Sequence, residues 1–195
     1  MTASSTHTTT SLLVPPPLGK VIKLFAAMST ATTVGLHPSP ILTIPLISSS
    51  LTVFYAIVET TVFYPFLAAA KEDAPATNKV VRLWWTNFLT PGLTTIFGVT
   101  LPTIIGGIYA LRHLPENSLK WKVCLAGSIF AAGHYAYVYP ISETIKNVMD
   151  EEVEAKGTTI DYVKTWLKVH LCRTLTADLP ALACFGYVAF ADEMR

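Results

Sequence analysis

Apolar and polar positions in this chain separate on the scale of whole helices. Four apolar stretches run from about Ile41 to Ala70, Leu83 to Leu111, Trp121 to Ile141 and Tyr162 to Phe190. Each is near or above the ~20 residues that carry a helix across ~30 Å of hydrocarbon. The first holds a single charge, Glu59. Between them, Lys71 to Arg82, Arg112 to Lys120 and Ser142 to Asp161 read as loops, the last with an acidic helical extension at Asp150-Glu151-Glu152. The pattern predicts an all-α protein: a four-transmembrane-helix bundle over residues 41–190, with both ends on one side. Pro91, Pro102 and Pro180 predict kinks, since neighbouring helices can satisfy the carbonyls they free. The competing reading is a soluble helical protein with a large core. The scarcity of charge between Ile41 and Ala70 weighs against it.

Residues 1–40 have a different character. Met1 to Pro17 is rich in Ser and Thr, ends in three prolines and lacks a basic n-region, so it reads as a disordered tail. Lys20 to Leu36 is mildly apolar with two lysines at its start and reads as an interfacial helix or a targeting segment. His37-Pro38-Ser39-Pro40 breaks the chain before the first span, and residues 191–195 form a short C-terminal tail.

Composition sharpens this. The chain is 51% hydrophobic and 14% charged, against ~25% charged in a soluble domain. Mean hydropathy is +0.46. A net charge of +1 provides no footprint for nucleic acid. Lys and Arg are spread evenly between the two sides, so they leave the orientation open. Cys124, Cys172 and Cys184 lie in apolar runs without CxxC spacing and read as small core residues. Aromatics gather near the segment ends, among them Tyr64, Trp84, Trp85, Trp121, Tyr139 and Trp166, as in an interfacial belt.

No phosphate-binding glycine loop, HExxH, nucleophile elbow or zinc spacing occurs, and no metal or cofactor is expected. Gly106-Gly107 reads as a close-packing or hinge element. Attention falls on polar groups inside the spans, because an ionisable side chain in hydrocarbon costs several kcal/mol and marks a functional site by default. These are Glu59, Asn87, His134, His170, Arg173 and Asp178. Trp166, His170 and Arg173 follow at helical steps of four and three and share one face, which Thr174 and Asp178 continue a little further round. Each residue also has a plainer reading: Glu59 as a hydrogen-bonded neutral acid, His134 as a packed imidazole, Arg173 as a partner of Asp178, Asn87 as interhelical glue, Trp166 as an interfacial anchor. The chemical reading needs a base and a cation in one pocket. A neutral imidazole can take a proton from an acidic carbon, an arginine can stabilise the resulting oxyanion, and Trp84, Trp85 and Trp166 can stack on a flat substrate.

At this point the chain resembles the DUF1772 family, which includes fungal anthrone oxygenases. The features that carry the resemblance are Val62-Phe63-Tyr64-Pro65 ending the first span, Trp84-Trp85 opening the second, Tyr139-Pro140 through Asn147 after the third, and Trp166-x-x-x-His170-x-x-Arg173 in the fourth. The last is the most specific. Pro140 and Asn147 stand further apart than in the usual Pro-Thr-Asn, and the N-terminal extension is long.

The resemblance implies an integral, multi-pass protein, with the endoplasmic reticulum as expected location. It implies oxidation of an aromatic polyketide anthrone by O2 in secondary metabolism, without a redox cofactor. The partners would be a lipophilic substrate, O2 and membrane lipid. His170 or His134 would be the base, with His170 favoured by its place in the motif, and Arg173 the oxyanion partner. Trp84, Trp85, Asn87, Trp166, Glu59 and Asp178 would surround the substrate. The alternatives are a membrane cyclase or isomerase acting on another lipophilic metabolite, and a non-catalytic accessory membrane protein.

Overall fold

A computed structural model describes residues 40–191, and this part of the chain is all-helical. The tail and interfacial helix expected before residue 40 lie outside it. A 3-10 turn, Pro40–Leu42, leads into α1 (Thr43–Ala69). There follow α2 (Ala74–Leu111), α3 (Leu119–Gly133), α4 (Val138–Met149), α5 (Glu151–Ala155), α6 (Thr159–Arg173) and α7 (Leu179–Phe190). A 3-10 turn, His134–Tyr137, joins α3 to α4, and a π-helical turn, Thr174–Asp178, joins α6 to α7. The result is four long helical runs. α1 packs on α2 and α7, α3 packs on α2 and α7, and α4 packs on α6.

The connections are shorter than expected. Asp73 caps α2, its Oδ1 accepting from the Ala76 amide at 3.0 Å, so residues 74–82 are helix rather than loop. Ser142 to Met149, also read as loop, belongs to α4. α2 stays helical through Pro91 and Pro102. Before α3, Asn117 takes a left-handed conformation (φ 62°), which asparagine tolerates. Ser118 Oγ then accepts from the Trp121 amide. Asp150 caps α5, and Gly157 (φ 74°) makes the turn into α6. Arg82 on α2 pairs with Glu151 at 3.2 Å and with Glu154, holding α5 against the start of α2.

The N-terminal half of α1 turns small polar residues inward and large apolar ones outward. Ser48, Ser49 and Thr52 are buried, while Ile44, Ile47, Leu51 and Phe54 are 47–61% exposed. The hydroxyls bond back to carbonyls of their own helix, and Thr103 Oγ1 of α2 donates to Ser48 Oγ at 2.8 Å. Polar inside and apolar outside is the arrangement lipid favours, because hydrocarbon solvates leucine as well as a core does. α1 and α2 are both long and apolar enough to cross a membrane, and the chain is accordingly assigned to a membrane setting.

Two apolar clusters lie toward opposite ends of the runs. One holds Leu42, Ala110, Cys124, Ala181 and Phe185. The other holds Phe63, Val81, Trp85, Val148, Val163 and Trp166. Trp85 and Trp166 therefore face inward, against Phe63 at 5.0 and 4.9 Å, rather than forming part of an interfacial belt. Gly107 lets helices approach closely: a Cβ there would strike Ser128 Oγ and would stand 2.8 Å from Phe185. Cys124 is buried, but Cys172 is exposed on the outer face, which corrects its reading as a core residue.

Candidate active site

Between the two clusters lies a polar layer. It begins with the shared face of α6. The Trp166 and His170 rings stack with centroids 4.6 Å apart. His170 Nε2 donates to the Ala56 carbonyl at 3.0 Å, and Arg173 Nη2 donates to His170 Nδ1, also at 3.0 Å. Arginine has no acceptor, so Nδ1 carries the lone pair and Nε2 the proton. Both nitrogens of His170 are occupied within the protein.

The π-helical turn brings in the next residue. Positions five apart on an α-helix point ~140° from one another, which would separate Arg173 from Asp178. The wider turn at Thr174–Asp178 closes that angle, and Arg173 Nε lies 3.4 Å from Asp178 Oδ2. The other carboxylate oxygen, Oδ1, accepts from His134 Nδ1 at 2.8 Å. His134 itself opens the 3-10 turn of the third run. A carboxylate on Nδ1–H fixes the tautomer and leaves the Nε2 lone pair free. Among the described residues Nε2 has no hydrogen-bond partner. Glu59 completes the group, its Oε2 3.6 Å from His170 Nδ1 and 3.9 Å from Arg173 Nη2.

This layer closes the inner end of a cavity of about 440 Å³. Glu59, His134 and Arg173 line it together with Trp85, Trp166, Phe88, Ile96, Phe97 and Tyr135, and α4 contributes Val138, Ile141, Ile145 and Met149. The walls are thus largely apolar and aromatic, with Glu59, His134 and Arg173 grouped at one end and Ser142 and Lys146 also in the lining, as in sites for small organic ligands. Tyr135 is held from behind by stacking on Phe97 at 5.6 Å. Beyond Asp178, a separate space of about 10 Å³ is lined by Ser49, Thr52, Thr100 and Thr103. That is room for about one water molecule among hydroxyls.

Of the residues singled out from sequence, Glu59, Trp85, His134, Trp166 and Arg173 reach this cavity. His170 and Asp178 do not line it; they stand behind Arg173 and His134. Trp84 and Asn87 lie elsewhere, along an outer groove with Leu83 and Pro91. Trp84 stacks on Phe88 at 4.3 Å, and Asn87 Nδ2 is spent on the Leu83 carbonyl at 2.7 Å. Sequence reasoning missed the α4 wall. Its signal was available: Val138, Ile141, Ile145 and Met149 recur at steps of three and four.

The arrangement provides an oriented imidazole with a free lone pair, a guanidinium beside it and a largely apolar, aromatic-walled cavity. Over 150 residues the chain is 25% identical to the probable epoxidase scpX of Mollisia scopiformis, an alignment covering 73% of this chain and 89% of that protein. No protein-family model matches the chain. No solved structure matches it.

Proposed function

We propose that this chain is a four-span membrane oxygenase of secondary metabolism, sited in the endoplasmic reticulum, that oxidises an anthrone-type aromatic polyketide with O2. The observation that carries the reading is the His134–Asp178 pair and Arg173 at the inner end of an apolar 440 Å³ cavity. The name of the scpX relative, a probable epoxidase, supports oxygen chemistry in general terms. The inverted polarity of the N-terminal half of α1 supports the membrane setting, and the outward-facing Leu171, Leu175 and Leu179 extend it to the fourth run.

In this reading His134, rather than the motif residue His170, is the base. His134 Nε2 takes a proton from the anthrone methylene, whose anion is delocalised over two rings and the carbonyl. Arg173 has five N–H donors; those not turned toward His170 and Asp178 stabilise the oxyanion. The carbanion gives an electron to O2, and recombination forms a carbon–oxygen bond. The peroxide anion recovers the proton from His134. Loss of water from the hydroperoxide leaves the quinone carbonyl. Anthrone and O2 thus become anthraquinone and water, with O2 the oxidant and the methylene carbon the reductant. Asp178 holds the imidazole in the correct tautomer throughout. His170 acts as a positioning residue, fixing Arg173 against α1.

The test is O2 uptake by membranes containing the protein, with emodin anthrone as probe. One O2 per quinone formed, above the autoxidation rate and lost in His134→Ala, is the expected result. Folded protein without excess uptake would overturn the oxygenase reading.

A further inference from the structure

The cavity has a second polar end. Val138, Ile141, Ser142, Ile145, Lys146 and Met149 fall at steps of three, one, three, one and three, and all line it. Lys146 therefore stands on the cavity stripe of α4, not on the opposite face. It makes no ion pair or hydrogen bond among the described residues, although Glu143 lies three positions before it. Arg173, the other cation in the lining, is already surrounded by His170, Glu59 and Asp178. One end thus has a committed cation and the other an uncommitted one.

We propose that Lys146 makes this cavity selective for flat aromatic substrates bearing an anionic oxygen, a carboxylate or ionised phenol, at the end remote from the reacting carbon. This rests on the aromatic-substrate reading given above. Position 146 follows 134 by 12 residues along an almost unbroken helical run. That is a rise of about 18 Å, from which the four-carbon lysine stem takes several ångströms when it leans back toward the helix N-terminus. The remaining span suits three fused rings with one substituent. Lys146 is itself exposed at its end of the cavity, so the charge contact it offers is a partly solvated one, worth about a few-fold in affinity.

The experiment is equilibrium binding of anthraquinone-2-carboxylate and of its methyl ester, read by quenching of the cavity tryptophans in phosphatidylcholine nanodiscs. Wild type, Lys146→Gln and Lys146→Arg are compared. The expected result is a loss of at least about threefold in acid affinity in Lys146→Gln. Ester affinity should be unchanged there, and acid affinity retained in Lys146→Arg. In wild type, acid binding should weaken with added salt while ester binding does not, a comparison that needs no variant. If acid and ester respond alike to the substitution and to salt, the lysine only reaches for the membrane surface, and this inference falls while the oxygenase reading stands. If neither ligand binds wild type, the aromatic reading of the cavity falls and takes the inference with it.

Discussion

His134 Nδ1 and Asp178 Oδ1 lie 2.8 Å apart, and neither residue sits in regular α-helix. One opens a 3-10 turn, the other closes a π-helical turn. Tightening one run and widening its neighbour at the same level brings two side chains into a contact that two ideal helices would not make with this sequence. Such departures within helices often mark functional sites.

Replacing Asp178 by Asn should leave the ring free to adopt the other tautomer. Turnover is expected to fall about 10²- to 10⁴-fold, with ester binding in the cavity little changed. Steady-state O2 uptake and tryptophan quenching measure the two separately. A fall of less than about threefold would remove Asp178 from the proposed mechanism.

The two histidines should part company. His134→Ala is expected to lower the thermal midpoint in detergent, because buried Asp178 loses its donor, and to abolish turnover even in the protein that remains folded. His170→Ala should lower stability by about 1–3 kcal/mol, because a buried arginine donor loses its acceptor and the Ala56 carbonyl loses one of its donors. Part of its activity should survive in the protein that remains folded. The reverse pattern would return the base role to His170.

The motif on α6 could be read from the sequence because its residues interact locally, at steps of four and three. The stacking of Trp166 on His170 and the contact of His170 with Arg173 follow from helical spacing alone. Glu59 was visible as the lone charge of its segment. The partnership of His134 with Asp178 was not, since it spans 44 positions and depends on two irregular turns. Trp84 and Asn87 were misdirected for a simpler reason. Trp84 and Trp85 are adjacent, and adjacent residues on a helix point ~100° apart, so only Trp85 reaches the cavity. The wall on α4 was lost because Ser142, Glu143 and Lys146 made a helix look like a loop.

Helix packing at the other cluster can be tested through glycine. Gly107→Val should cost about 1–3 kcal/mol, as its side chain meets Ser128 and Phe185. Gly98→Ala meets nothing within 4 Å and should be neutral or stabilising by up to about 1 kcal/mol. Thermal unfolding in detergent distinguishes them; equal effects would argue against the close approach at Gly107.

Topology follows from the Arg82 pairs with Glu151 and Glu154, which hold the α1–α2 and α4–α6 connections at one end of the runs. Glu72→Cys and Glu152→Cys should react with a membrane-impermeant maleimide from the same side of sealed vesicles, and Glu116→Cys from the other. Labelling of all three from one side would exclude four spans. Each cysteine is read in a background lacking the exposed Cys172.

The π-helical turn also bears on how such chains are compared. Buried positions step from Arg173 to Ala177, Ala181 and Phe185. Three steps of four would carry them about 120° around an ideal helix. The turn absorbs that drift, acting as a one-residue insertion that leaves the two halves of the run out of phase. A helical wheel drawn straight through from Thr159 to Phe190 misplaces one half. Losing a single residue between Arg173 and Asp178 would keep both His134 and Asp178 and turn the carboxylate away from the imidazole. The His134–Asp178 pairing is therefore encoded in chain length as much as in residue identity, and an alignment forced through this segment without a gap would hide its loss.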